Sequence, residues 1–390
     1  MLAFRLAVKN LLGTGLRTWL NVIVLSFSFV IIIWTKGLLE GWDSEAKADM
    51  ISWEIASGQF WHYKYDPYEP MSLSDSHGSI PPELSSFLND SVLVPLLITQ
   101  GTIYPKGRMQ AIFIKGIPPQ QHILDLPSYK LESGSDEVTA IIGSAMAEST
   151  RLEEGDYVTI RWRDRNGTFD ARDIRIAGIF DTNVPTVDVG QVWLSIEKLR
   201  EMMLLPGEAT ILVCRENQQV TRSIPGWEFM TQDDLLVDLH KIIRSKSMAG
   251  LIIWAILLMV AMLAIFDTQV LSIFRRQREI GTYVALGMTR GRVVALFTIE
   301  GALHAILATL LGALYGLPLL SLQATRGINL PVSSEDYGLT MAEKLYPVYS
   351  PGLILGTVVI VVIVTTLVSY WPSRKIARMN PTDALRGRMP

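Results

Sequence analysis

The sequence contains four apolar stretches that are long enough to cross a membrane as α-helices, at residues 18–38, 248–274, 293–322 and 351–371. A helix needs about 20 predominantly apolar residues to span the hydrocarbon core of a bilayer. Residues 39–247 contain no further run of this kind. The pattern therefore predicts a membrane protein with four transmembrane α-helices and a large soluble domain inserted between helices 1 and 2.

Within the insert, apolar and polar residues alternate over short runs that are typical of β-strands. Residues 157–163 alternate regularly, and the pair Asn166-Gly167 is a hairpin-turn signal ahead of a second apolar run at 174–180. Segments with helical periodicity separate other strand-like runs. We therefore predict an α+β domain made of two subdomains, at about residues 43–137 and 138–245.

Basic residues are distributed unevenly among the segments that connect or flank the spans. The segments 1–17, 275–292 and 372–390 contain three, five and five Lys or Arg residues, and together only two acidic residues. The loop 323–350 contains two basic and three acidic residues. Because cytoplasmic segments are enriched in Lys and Arg, we predict cytoplasmic termini, a cytoplasmic loop at 275–292, and an extracytoplasmic insert.

Composition narrows the classes of function. The 390 residues are 49% hydrophobic and 19% charged, which suits membrane segments combined with a sizeable soluble part. A net charge of −3 gives no indication of nucleic-acid binding. The single cysteine, Cys214, excludes an internal disulfide and a cysteine-based metal site. The sequence has neither a phosphate-binding Gly-rich loop nor a catalytic grouping of Ser, His and Asp, so we predict no catalytic residue, metal ligand or cofactor in this chain, and no enzymatic activity.

The loop 275–292 carries a short amphipathic pattern between two spans. Ile280, Tyr283 and Val284 follow three arginines at helical spacing, Gly287 is suited to end a helix, and Thr289 is suited to begin the next one. On charge alone, this segment is an ordinary positively charged cytoplasmic loop.

The amino-acid sequence of this loop supports a second interpretation. The segment RRQREIGTYVALGMTRGRVVALFTIEG resembles the loop of ABC-transporter permeases in the group that contains the lipoprotein-releasing, macrolide-exporting and FtsX-like cell-division proteins. The matching positions are Arg278, Glu279, Ile280, Gly281, Ala285, Gly287 and Glu300. The tail also resembles the family ending, through Pro372, Arg374, Ala377, Pro381, Ala384, Leu385 and Arg386.

The resemblance implies that this loop is a coupling helix that docks on a separate ATPase subunit. The implied ATPase-coupling residues are Arg278, Glu279, Ile280, Gly281, Tyr283, Val284, Ala285 and Gly287. It further implies two copies of that ATPase, which would bind ATP and magnesium, and a second permease copy or paralogue. The location implied is the bacterial inner membrane.

The order of segments in the insert resembles the lipoprotein-releasing branch most, through Ser57-Gly58-Gln59-Phe60 and Gly116-Ile117-Pro118. The function implied is a permease subunit that relays ATP-driven motion to its periplasmic domain and releases lipoproteins from the inner membrane. Two alternatives within the family are a macrolide-exporter-like efflux permease and an FtsX-like regulator of a cell-wall hydrolase. A membrane receptor without a transport role is a third class.

Two sets of candidate residues remain open in their interpretation. Asp267, Glu300 and His304 are ionisable residues inside predicted spans, where such groups are either functional or paired structurally. Glu300 and His304 share a helix face, and Glu300 is within reach of the arginines in the preceding loop. The aromatic residues above the first span, taken either as core or as a cargo-contacting surface, are Trp53, Phe60, Trp61, Tyr63 and Tyr65.

Overall fold

The computed structural model describes residues 16–89, 91–131, 137–215, 223–329 and 344–376. The chain divides into two compact units. The helical unit takes the described residues of 1–43, 243–330 and 344–390, and the mixed unit takes those of 44–242. Most of the predicted N-terminal segment 1–17, half of the loop 323–350 and most of the tail 372–390 lie outside the described residues, and with them the part of the family-like C-terminal motif that follows Ile376.

The helices and strands of the described residues have the following bounds. The helices are α1 Leu16–Met50, α2 Pro82–Asn89, α3 Ser144–Thr150, α4 Pro185–Asp188, α5 Ile196–Met203, α6 Gln232–Leu235, α7 Val237–Arg275, α8 Gln277–Ala285, α9 Arg290–Arg326 and α10 Pro351–Ile376. The strands are β1 Gly58–His62, β2 Gly78–Ser79, β3 Leu93–Ile103, β4 Gln110–Ile117, β5 Thr139–Gly143, β6 Tyr157–Arg163, β7 Phe169–Phe180, β8 Gln191–Ser195, β9 Glu208–Ala209, β10 Ile211–Cys214, β11 Ser223–Ile224, β12 Trp227–Thr231, β13 Ile328–Asn329 and β14 Lys344–Leu345.

Three helices in the described part of the chain are long and apolar enough to cross a membrane, over Trp19–Ile55, Arg290–Arg326 and Pro351–Arg374. The predicted span 248–274 lies within α7, where the stretch Gly250–Val260 forms a shorter apolar segment. The count of four spans therefore stays a prediction. Both α1 and α7 extend beyond their predicted spans into the predicted insert, and neither extension, 39–50 or 237–247, contains a Pro that would remove a backbone hydrogen bond.

The helices of the helical unit share one apolar core. Phe29 of α1, Leu258 of α7, Ala305 of α9 and Val361 of α10 belong to a single cluster of buried side chains. The small residues on α9 allow α1 to approach closely, since a Cβ atom placed on Gly316 would lie 2.6 Å from Cγ2 of Val30. Small residues at such positions are the usual means by which membrane helices pack.

We expect Gly316→Ala to destabilise the helical unit relative to Gly312→Ala. A Cβ atom on Gly312 would meet its nearest neighbour, the Ser26 carbonyl oxygen, at 3.4 Å, which is an ordinary contact. Both variants gain the same helix propensity, so their difference isolates the clash with Val30. We expect that difference to be about 1–3 kcal/mol in free energy of unfolding. Unfolding midpoints of the two purified variants measure it, and equal midpoints would contradict the close packing of α1 against α9.

The mixed unit is built on one continuous sheet. Its strand order is β11-β12-β1-β10-β3-β4-β8-β5-β7-β6, and β3 also pairs with β6. This additional pairing closes the last six strands into a barrel, whose interior holds Ile103, Ile114, Ile142 and Ile160, each buried completely. The predicted hairpin at Asn166-Gly167 is present between β6 and β7, and Gly167 has the positive φ of 82° that such a turn favours.

The two predicted subdomains, 43–137 and 138–245, are not separate in this structure. Strand β8 from the second predicted half lies between β4 and β5, and β10 lies between β1 and β3. The prediction followed the order of the chain, whereas strand pairing joins segments that are distant in sequence. The α+β class of the unit agrees with the prediction.

Candidate functional site

The short helix α8 is separated from the helices before and after it by an interruption at each end. Helix α7 ends at Arg275, and Arg276 has φ −99° and ψ 14°, outside the helical region. At its other end, Gly287 has a positive φ of 93°, and the amide of Met288 donates to the carbonyl of Tyr283 over 2.9 Å. Glycine favours this backbone conformation because it has no Cβ atom. The result is a nine-residue helix between α7 and α9, starting two residues before the predicted segment 279–286.

The inner face of α8 is anchored on α9. The Ile280 side chain is 5% exposed and packs in a cluster with Val293 and Phe297 of α9. Val284 and Met288 are partly buried against the same cluster. Ile280 and Val284 were both predicted to contact an ATPase. In this structure Ile280 is buried against α9 of its own chain, whereas Val284 is only partly buried, and contact of these residues with an ATPase stays a prediction.

Arg276 adds a polar clamp at the same contact. Its Nε donates to Glu279 Oε2 over 2.8 Å, and its Nη1 donates to Glu300 Oε2 over 3.2 Å. The guanidinium also lies 5.2 Å from the ring centre of Phe297. The side chains of Arg276 and Glu300 are only 12% and 4% exposed. A buried ion pair of this kind orients two helices as long as both partners are present.

The other predicted residues of this segment differ in their exposure. Arg278, Glu279, Ala285 and Gly287 are exposed, Tyr283 is half-buried, and Gly281 is buried. Sequence reasoning missed Leu286, which follows the helix and is 81% exposed. At roughly 100° per residue, Leu286 lies about 120° around the helix axis from Ile280 and about 160° from Val284, away from the buried stripe. An apolar side chain out of phase with that stripe is the signal that identifies it.

The three ionisable residues of the predicted spans do not form one site. Glu300 pairs with Arg276, as the structural interpretation expects, and His304 Nδ1 donates to the backbone carbonyl of Glu300 over 2.7 Å. Asp267 is exposed on α7. Among the described residues no cluster of His, Cys, Asp and Glu is suited to hold a metal ion.

The aromatic residues above the first span separate into core and surface. Phe60 is completely buried, so its prediction as a cargo contact is corrected: its side chain belongs to the core of the mixed unit. Trp53 stacks on Phe180 with ring centres 5.6 Å apart, and Trp61 meets Tyr65 edge-on at 5.0 Å. Tyr63 is 64% exposed. Within β1, Phe60 and Trp61 pack in different clusters because successive side chains point to opposite faces, and Tyr63 follows the end of the strand at His62.

The sequence has recognisable relatives. Residues 251–381 match the family described as FtsX-like permease C-terminal. The macrolide export ATP-binding/permease protein MacB of Sodalis glossinidius is 28% identical over 162 residues, covering 40% of this chain and 22% of that protein. The lipoprotein-releasing system transmembrane protein LolC of Neisseria meningitidis is 21% identical over 325 residues, covering 75% of this chain and 77% of that protein.

An uncharacterized ABC transporter permease of Methanocaldococcus jannaschii is 22% identical over 282 residues, which is 66% of each chain. For the macrolide export relatives the matched region is smaller. The chain covers 22% of the length of one of them and 19% of the length of another, which is about a fifth. The resemblance seen in the loop around α8 is confirmed by these matches.

Proposed function

We propose that the chain couples a partner ATPase to work outside the membrane, because residues 251–381 match the FtsX-like permease C-terminal family and the relatives include an ABC transporter permease. Helix α8 and Leu286 would contact the ATPase. The observation that carries this proposal is the two-sided construction of α8. One side is fixed to α9 by Ile280 and Arg276, and the other presents Leu286 to solvent.

A rigid anchor matters because a coupling element must transmit displacement instead of absorbing it. Closure of two ATPase copies would push α8, and α8 would move α9 with it through the Arg276–Glu300 pair. Helices α1 and α7 each continue across the sequence boundary between the helical and the mixed unit. They would pass the motion on, with a second permease copy or paralogue completing the transporter.

We expect Leu286→Asp to weaken the contact with the ATPase while leaving the chain folded. Leu286 is 81% exposed, so the fold of the described residues depends little on it, and a leucine that becomes fully buried contributes about 1.5–3 kcal/mol to an interface. Loss of that contribution corresponds to at least tenfold weaker binding. Co-purification and permease-stimulated ATP hydrolysis measure the effect. Leu286→Met is the matched control, because it keeps an apolar side chain of similar size, and equal loss in both variants would contradict the proposal.

For the cargo, we propose lipoprotein release from the inner membrane. The support is the coverage of the lipoprotein-releasing relative, which extends over most of this chain, and the exposed aromatic surface that includes Tyr63. Depletion of the chain should cause lipoproteins to accumulate in the inner membrane. Fractionation of membranes followed by lipoprotein detection tests this. Normal release after complete depletion would reject it.

Macrolide efflux is the second candidate, favoured by the macrolide export relatives. In that case depletion would raise macrolide sensitivity and leave lipoproteins correctly sorted. An FtsX-like regulator of a cell-wall hydrolase would change neither, and its loss would instead alter cell-wall cleavage.

A further inference from the structure

The mixed unit contains a cleft of about 880 Å³ that the coupling function does not use. Its entrance is lined by aromatic side chains, including Tyr63 and Tyr68, and its interior reaches Lys115 on β4 and Trp193 on β8. The apolar side chains along its wall are Met50, Leu96, Ile98, Leu124 and Ile211. Charged side chains, among them Lys64, Glu228 and Asp238, also line the cleft, and an apolar wall with polar groups at defined positions is the usual form of a small-molecule site.

Lys115 places an ammonium group in this interior. The residue is 8% exposed, and burial lowers the pKa of its amine, an effect that the nearby Glu54 carboxylate opposes. Lys115 Nζ lies 3.7 Å from Glu54 Oε1, which is close enough for an ion pair but longer than an ordinary hydrogen bond. It also lies 5.0 Å from the ring centre of Trp193. The ammonium is therefore compensated in charge and still has N–H groups to donate.

Trp193 supplies a second donor to the same cleft. The residue is 1% exposed, and among the described residues its indole Nε1–H has no hydrogen-bond acceptor. Buried polar groups are nearly always hydrogen-bonded, because leaving one unpaired is unfavourable. A donor without an acceptor at the wall of a cleft indicates that a ligand atom accepts there.

The charges of Glu54 and Lys115 favour a ligand whose hydrogen-bond acceptor is uncharged. Glu54 already balances Lys115, and its other oxygen accepts from Thr186 over 2.6 Å. An anionic ligand would add an uncompensated negative charge beside Glu54, and a cationic one would compete with Lys115 for the face of Trp193. A neutral carbonyl oxygen accepts from both donors without adding charge.

Two of the carboxylates that line the cleft are occupied by neighbouring groups. Asp238 accepts from the Tyr68 hydroxyl and from Lys241, and Asp234 accepts from Thr231. The other charged side chains of the lining include Lys64, Asp66 and Glu228, which are exposed to solvent. An aromatic entrance and an aliphatic wall suit a hydrocarbon chain.

We propose that this cleft binds an acyl chain through its ester or amide carbonyl, which accepts from Trp193 Nε1 and Lys115 Nζ while the chain lies along the apolar wall. This site deepens the proposed lipoprotein function and rests on it for the natural acyl donor, because lipoproteins carry acyl esters and amides. Binding itself is measured without reference to that function.

The test uses the purified full chain in a detergent-free amphipathic polymer. Two probes, dodecanoic acid methyl ester and dodecyl methyl ether, each carry a photoactivatable diazirine at the end of the chain. They differ in the carbonyl oxygen, and mass spectrometry identifies the labelled residues. We expect the ester to label cleft-lining residues about tenfold more than the ether, as one charge-assisted hydrogen bond predicts.

Trp193→Phe keeps the aromatic ring and removes the donor, so we expect it to lower ester labelling about five- to tenfold and to leave ether labelling unchanged. Lys115→Met should act in the same direction. Tyr129→Phe, at an exposed position away from the cleft, is the matched control and should change neither probe. Thermal unfolding verifies that each variant is folded.

Equal labelling by ester and ether, or labels confined to residues 243–376, would overturn the proposal, as would ester labelling that Trp193→Phe leaves unchanged. The outcomes distinguish failure of the acyl-binding site from failure of the proposed cargo. Selective ester labelling with normal lipoprotein release would retain the site and reject the proposed cargo. Defective release on depletion with no ester selectivity would retain the cargo and reject the site.

Discussion

Arg276→Met is expected to lower the free energy of unfolding of the helical unit by about 3–5 kcal/mol, because it removes the guanidinium that pairs with the buried Glu300 carboxylate. Glu300 is 3% exposed, so water cannot replace the guanidinium. The same change removes the contact of the guanidinium with Phe297 and releases Glu279. Tryptophan fluorescence during denaturation of the purified chain measures the stability.

The double variant Arg276→Met with Glu300→Gln is the decisive control. It removes both charges. Replacing both partners of a buried ion pair by uncharged groups often changes the free energy of unfolding very little. We therefore expect it to recover much of the loss. If the double variant is as unstable as Arg276→Met, the ion pair is not the origin of the effect.

Coupling provides a second readout for these variants. If Arg276 positions α8, then the double variant, although stable, should still stimulate a partner ATPase less than the native chain does. Its α8 would be attached to α9 only by the cluster around Ile280. Native stimulation by a stable double variant would show that the apolar anchor suffices.

Phe60→Ala is expected to cost about 3–5 kcal/mol in free energy of unfolding of the mixed unit, since a large buried aromatic side chain leaves a cavity. Phe60 is completely buried, and its ring lies 4.9 Å from that of Phe229. At this cost the chain should be depleted from the membrane. Immunodetection of membrane fractions and thermal unfolding measure the two consequences.

Tyr63→Ala is the matched comparison, three residues along the chain. Because Tyr63 is 64% exposed, we expect a change of less than about 0.5 kcal/mol and normal abundance. A defect in cargo release with this variant would arise from the surface and not from folding. A large loss of stability with Tyr63→Ala, or none with Phe60→Ala, would contradict the division of these aromatic residues into surface and core.

The candidate site was predictable in part. The breaks at both ends of α8 follow from the sequence, because the loop sits between apolar runs and Gly287 favours a positive φ. The assignment of Ile280 and Val284 to a partner came from their amphipathic spacing between two spans together with the resemblance. Their amphipathic spacing indicates one apolar face, but spacing does not say whether that face packs on the chain or on another protein.

What the sequence determined by itself is local: apolar runs long enough for membrane helices, the alternation that produces strands, and the hairpin at Gly167. These follow from interactions between residues close along the chain, such as backbone hydrogen bonding and the side-chain periods of helices and strands. The tertiary structure alone decided that β8 and β10 enter a single sheet, that Arg276 meets Glu300, and that Lys115 and Trp193 share a cleft. Arg276 and Glu300 are 24 positions apart in the sequence, and Lys115 and Trp193 are 78 positions apart. Only tertiary packing brings each pair together.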